Sequence, residues 1–429
     1  MTEGRRTPVF GPLAGLRVVD FTVALSGAYS TMLLADLGAE VIKVESLQHY
    51  SSPTRGARAV ARDADQIVLR AYPDMDPGAD PWNRWSSFNS HARNKLAITL
   101  DVSRQRGRDL FLRLLQVSDG LIENNVAGRM EQLGLDPGSL LAGNTRLIVV
   151  RMPALGLSGP DHRTIGFGWH FEELGGALEV QGYPDGPPVG SIFMDASSGP
   201  AGASAFLMAL IERERTGRGQ VIELAQIENM INHYGEIVLE AAMTGSVPRR
   251  WGNRHPRCAP QGVYPCRGAD TWVALSVRDD RDWAALRALV GDPPELRRPE
   301  FDTLAGRVAA HDEIDSAVSR WTRSHTKEEA FHALQKAGVP AGPVLDEEDA
   351  FADPHLQERG FFQLLEHQSA GVHFHAGPNF NMAATPLRVW RAAPVLGQDN
   401  DYVYREILGI DDDEYQDLVA DGQIGSAYP

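Results

Sequence analysis

Cysteine is scarce in this chain: its 429 residues hold only Cys258 and Cys266. Two thiols without a third or fourth ligand nearby do not make a zinc site. Their spacing would allow a disulfide, but the expectation is two free thiols in a bacterial-type cytosolic enzyme. Long apolar runs are also missing. None approaches the roughly 18 residues that mark a membrane-spanning helix. The opening MTEGRRTPVFGP has two arginines but no apolar core behind them, so it does not read as a signal peptide, and a cytoplasmic protein is expected. Positive charge is in short supply: 41 Lys and Arg stand against 57 Asp and Glu, a net charge of −16. That argues against nucleic acid as a partner and for solubility. No metal site is expected.

What is present is a strand–helix–strand unit over residues 14–45, AGLRVVDFTVALSGAYSTMLLADLGAEVIKVE. Residues 16–21 form a short apolar run with a Val pair, which predicts a buried strand. Residues 29–37 carry apolar side chains at helical spacing, and Gly38 stops that helix. Residues 39–44 are a second apolar run, so the two strands should be parallel. Ligands of such sheets sit at the carboxyl ends of the strands, here the loop 22–28. That loop is not a dinucleotide fingerprint, because no G-x-G-x-x-G follows the first strand. A plain α/β unit with no ligand at this loop is the alternative.

At roughly 150 residues per domain, the length suggests two or three domains. Residues 46–92 are polar and irregular, with four prolines and the bulk of Trp82, Trp85 and Phe88. A loop this long reads as a lid or interface arm. Strands are expected at 96–100, 121–123, 147–152 and 220–224, and helices at 104–118, 195–215 and 227–242. The 195–215 helix is rich in Ala, Gly and Ser, which permits close packing. Composition shifts near Ser246. The reading is a large α/β domain over 10–225 and 370–429, a small domain over 246–339, and linkers at 226–245 and 340–369. Val372 to Phe374 is strand-like, and an acidic helix ends the chain.

Further text has a family stamp. Arg93-Asn94-Lys95 before Ile98-Thr99-Leu100-Asp101, Glu123-Asn124, the turn from Gly182 to Pro188, Glu212 to Gln220, Gly252 to Pro256, and Ala337 to Val344 follow in order. With residues 14–45 they resemble the class III CoA-transferases, the group that also contains α-methylacyl-CoA racemase. The resemblance covers nearly the whole chain. It implies an open, Rossmann-like parallel sheet in a large domain built from both chain ends, a smaller central α+β domain, and an interlocked dimer. It implies acyl-CoA and a small carboxylic acid as substrates, with no permanently bound cofactor and no membrane. CoA would be bound by Ala24, Leu25, Ser26, Lys95, Leu100 and Asn124. The family's reaction proceeds through an aspartate that becomes an acyl anhydride and then a CoA thioester.

The resemblance breaks where that aspartate should be. The family's stretch aligns with IGFGWHFEELGG, residues 165–176, and the aspartate position falls on Gly168. A carboxylate follows at Glu172, one helical turn on, with His170 as a possible acid–base partner. Either Glu172 reaches the vacant position, or it caps or pairs within its helix. Basic and aromatic groups common in the family are also missing, which predicts weak binding of free CoA; Arg93 and Lys95 remain as candidate phosphate partners. Asn253 and His255 lie on a loop the racemase branch uses, or serve only as turn residues. The leading reading is a CoA-transferase with a glutamyl intermediate. The others are a non-catalytic subunit that pairs with a related, aspartate-bearing chain, and an acyl-CoA racemase or isomerase. Assembly is therefore expected as a homodimer or as a heterodimer with a related subunit.

Overall fold

The computed structural model describes residues 10–61, 63–247 and 249–429. The chain divides into two compact units. One takes in the described residues up to Ala177, with Ser191–Leu239 and Glu358–Pro429; the other takes in Leu178–Gly190 and Glu240–Gln357.

The first unit is organised by a six-stranded sheet, β1 (Arg17–Phe21), β2 (Glu40–Glu45), β3 (Leu96–Thr99), β4 (Gly120–Glu123), β5 (Ile148–Arg151) and β6 (Val221–Glu223). Every pairing is parallel, in the order β3-β2-β1-β4-β5-β6. Strand order reverses between β1 and β4, where a ligand crevice opens in such sheets. Successive strand residues point to opposite faces. Val19, Ile42 and Leu121 pack with Leu110, Phe111 and Leu114 of α2 (Gln105–Gln116), which covers one face. Val18, Val41, Ile122 and Val150 face the other way, onto α1 (Ser26–Asp36) and α4 (Phe193–Thr216); α3 (Gly168–Leu174) precedes α4 in the chain.

The small residues of α4 have the use their composition suggests. A Cβ on Gly199 would lie 2.4 Å from the Tyr29 ring, and one on Gly202 would lie 2.5 Å from Ser30 Oγ. Glycine lets α1 and α4 touch backbone to side chain, so that nearly all of α1 is buried.

The second unit holds β7 (Gln261–Pro265), β8 (Trp272–Ser276) and β9 (Ala341–Val344) in an antiparallel sheet of order β7-β8-β9. Helices α5 (Asp280–Leu289), α6 (His311–Thr322) and α7 (Lys327–Ala337) supply Trp283, Leu286, Ile314, Val318 and Leu334 to its core. Two stretches read as linkers are structured. Residues 226–245, where one helix over 227–242 is expected, form two, Gln226–His233 and Gly235–Thr244. Residues 340–369 contribute β9 to the second unit and β10 (Phe362–His367) to the first, where it pairs antiparallel with β11 (Gly371–Ala376). Pro343 disguised β9, but β9 is an edge strand, and an edge tolerates a residue that cannot donate. Among the described residues no helix is long and apolar enough to cross a membrane, and no cluster of His, Cys, Asp and Glu could hold a metal.

Candidate active site

Asp20 is the one acidic residue within the apolar run of β1, and it is wholly buried. Its carboxylate meets Lys43 Nζ at 3.1 Å and Lys95 Nζ at 2.9 Å. The hydroxyls of Thr22 and Thr31 donate to it at 2.6 and 2.7 Å. Burial alone would raise this carboxyl, but the two ammonium groups and the hydroxyls prevail and hold it well below the usual range. Lys95 is pushed down to about 8, by burial against the pull of Asp20. Lys95 also donates to the Ala28 carbonyl at 2.8 Å, and Lys43 to the Thr22 carbonyl. The cluster thus ties the start of α1 to the strands on either side of it.

This corrects one expectation. Lys95 was a candidate phosphate partner, yet its ammonium is buried and spends its donors on Asp20, Ala28 and Thr31. Arg93 is likewise committed, to Asp36 at 2.6 Å and to the carbonyl of Gly377. Both are structural cations.

Asn124, at the end of β4, clamps the loop after β1. Its Oδ1 accepts from Val23 N at 2.7 Å, and its Nδ2 donates to Val23 O at 2.8 Å and Ser26 Oγ at 3.1 Å. Ala24, held between, adopts φ of +56°, an uncommon conformation for a residue with a Cβ. Asn124→Ala is expected to cost about 2 kcal/mol of stability, read as the denaturant midpoint, because it removes these bonds and leaves Val23 groups unpaired.

Two cavities lie on either side of this loop, at the carboxyl ends of the strands. The first, about 350 Å³, runs past Phe21, Ser51, Thr54, Leu100, Asp101 and Arg129. Among the described residues the Arg129 guanidinium makes no ion pair or side-chain hydrogen bond. Tyr50 and Tyr428, ring centroids 4.6 Å apart, add aromatic wall. The second cavity, about 250 Å³, includes Ala24, Ser26, Asn124, Gly168 and Asp195. Val23 and Asn125 border both. Of the residues expected to bind CoA, Ala24, Ser26 and Asn124 line the second cavity and Leu100 the first; Leu25 lines neither and is the N-cap residue of α1.

Glu172 and His170 are not brought together, since residues two apart on a helix point to different sides. His170 is exposed, and its Nδ1 accepts from Phe167 N at 3.1 Å, closing the first turn of α3. Glu172 is fully buried. Its Oε1 accepts from Met194 N at 2.9 Å, and its Oε2 from Ser191 N and Ser191 Oγ at 3.3 and 3.4 Å. It therefore caps a helix, but the next long one, α4, rather than its own. It does not line either cavity. Asn253 and His255 belong to the second unit, where Asn253 Nδ2 donates to the Tyr183 hydroxyl at 2.7 Å and His255 Nδ1 accepts from Arg257 N.

The model of CoA-transferase family III matches residues 13–400. The chain belongs to CoA-transferase family III. Within that family it resembles a probable CoA-transferase of Mycobacterium tuberculosis, 32% identical over 420 residues that cover 95% of this chain and 50% of that protein. The chain thus spans half the length of that relative. Both subunits of a succinyl-CoA–L-malate CoA-transferase of Chloroflexus aurantiacus also match. The α subunit is 32% identical over 95% of this chain and 91% of its own length, and the β subunit 30% over 95% and 96%. The crystal structure of a CaiB/BaiF family protein from Brucella suis superposes with a TM-score of 0.80 at 28% identity, covering 93% of this chain and all of that one.

Sequence reasoning missed Arg129 and Asp195. Arg129 sits five residues past Asn124, at the start of a short helix that carries no motif of its own. Asp195 reads as an ordinary acid in the first turn of a long helix.

Proposed function

We propose that this protein moves CoA from an acyl-CoA to a carboxylic acid, with the nucleotide end of CoA in the first cavity and the thioester in the second. The observation that carries this is that the two cavities share Val23 and Asn125 as wall residues, at the reversal of strand order. One end offers Arg129 and two tyrosine rings, suited to phosphate and adenine. The other offers a carboxylate, suited to anhydride chemistry. Family membership supports the reaction class, and the names of the relatives support succinyl-CoA as a donor to try.

A glutamyl intermediate has less support. The Glu172 oxygens already accept three donors and are closed off from both cavities. A second reading, a subunit that works only beside a related chain, is favoured by Gly168 and by the paired subunits of the Chloroflexus relative.

Purified protein given succinyl-CoA and a panel of mono- and dicarboxylic acids, with the thioesters separated by chromatography, decides between these. New acyl-CoA from this chain alone is the expected result. Transfer seen only after a related subunit is added would favour the second reading.

A further inference from the structure

Gly168 has no side chain with which to react, yet its surroundings contain a carboxylate. A Cβ built on Gly168 would lie 3.0 Å from Oδ2 of Asp195 and 3.4 Å from its Cγ. Asp195 comes from the first turn of α4 and fills the space that a side chain on residue 168 would occupy. Glycine on α3 is what leaves room for it.

The other buried carboxylates nearby are tied down. Asp20 is held by two ammonium groups, and Glu172 by Met194 N and Ser191. Asp195 is half-buried on the cavity wall, and among the described residues it accepts no hydrogen bond and makes no ion pair. Nor is it the cap of its helix, because Glu172 already takes the Met194 N–H. Burial, and then the charge of Glu172, push its carboxyl up to about 6. A group near that value is still ionised at neutral pH but is poorly solvated, which suits a nucleophile.

We propose that Asp195 is the nucleophile of this chain, a carboxylate supplied from α4 in the space beside Gly168. The assignment rests on the transfer reading above. An Asp195 oxygen attacks the thioester carbonyl; the C–S bond breaks, CoA leaves as thiolate and a mixed anhydride remains. The thiolate attacks the Asp195 carbonyl of that anhydride, releasing the donor acid as carboxylate and leaving a CoA thioester on Asp195. The acceptor carboxylate attacks this thioester, and CoA thiolate leaves again. The thiolate then takes the acceptor's acyl group, and Asp195 returns as carboxylate. No oxidant or further co-reactant enters.

Glu172 is then a positioning residue. Through Met194 N it fixes the residue next to Asp195, and its charge raises the Asp195 carboxyl. The other titratable groups around this place are His162 on the cavity wall, Tyr234, whose hydroxyl donates to Gly175 O, and His233, which packs edge-on against Phe193.

The test uses the full chain with acetyl-, propionyl- and succinyl-CoA, intact mass, hydroxylamine and peptide mapping. Wild type is expected to gain a hydroxylamine-sensitive adduct on the peptide containing Asp195. Asp195→Asn is expected to lose that adduct and roughly a thousandfold in transfer. Adding Gly168→Asp to Asp195→Asn puts a carboxylate back into the same space, and the adduct is expected to return at position 168. Glu172→Gln should still form the adduct on Asp195, with the acid limb of kcat/KM moved to lower pH, since one cause of the raised carboxyl is gone. An adduct on Glu172, or transfer by Asp195→Asn within about tenfold of wild type, overturns the assignment and leaves the transfer reading standing. No transfer and no adduct from wild type with any of the three thioesters overturns the transfer reading, and the assignment with it.

Discussion

Asp20→Ala is expected to destabilise the first unit by about 3–5 kcal/mol, the range seen when one partner of a buried ion pair is removed. Lys43 and Lys95 both turn toward this carboxylate in a place water does not reach. Without it, two ammonium groups face each other in low dielectric, and the hydroxyls of Thr22 and Thr31 lose their acceptor. Against a total of about 5–15 kcal/mol for a folded domain, that is a large share. The loss should also depend on pH. In the variant Lys95 has lost the main group that favours its charged form, so its folded pKa drops further below the unfolded value. The folded state then binds fewer protons than the unfolded one, and stability rises with pH. The deficit against wild type should therefore shrink between pH 7 and pH 10. Urea midpoints at both pH values measure it, and a deficit that is constant or grows would contradict the account.

The second large effect is on substrate binding. Arg129→Ala is expected to raise KM for a CoA thioester by roughly 10- to 100-fold, with kcat little changed. A hydrogen bond to a charged partner contributes about 1.5–3 kcal/mol, and each 1.4 kcal/mol is tenfold. Among the described residues the guanidinium has no partner on the wall of the first cavity, so a phosphate gains it without breaking a pair made there. Arg129→Lys should recover only part of the loss, because an ammonium cannot offer the planar fork. The wild-type KM should rise with salt more steeply than the variant's. Equal KM values for Arg129→Ala and wild type would remove the nucleotide from this cavity.

The sheet was legible because its signals are local. The Val pair of β1, the apolar run of β2 and the glycine after α1 each act within a few residues, and the strands fall at Arg17–Phe21 and Glu40–Glu45. The helix expected over 104–118 is Gln105–Gln116, and the one expected over 195–215 is Phe193–Thr216. Asp20 carried a signal that went unused. A carboxylate in an apolar strand needs a charged or hydrogen-bonding partner, and here Lys43 on β2 and Lys95 just before β3 meet that need and are withdrawn from any ligand. The site was harder to read. Spacing arguments follow one helix, so they lead from Gly168 to Glu172 and stop there. Asp195 meets Gly168 only because α3 and α4 pack together, a contact between helices that no sequence period encodes.

The floor between the two cavities has few ways to move. Asn124 grips Val23 from the end of β4, and Asp20 anchors Thr22 and, through Thr31, the middle of α1. A thioester lying across it could keep its nucleotide end seated while one acid departs from the other end and the next arrives. Coenzyme would then stay with the protein through both halves of a turnover. The energy of the thioester bond would pass from acid to acid without the thiol being released to solvent, and with little time for water to intercept it.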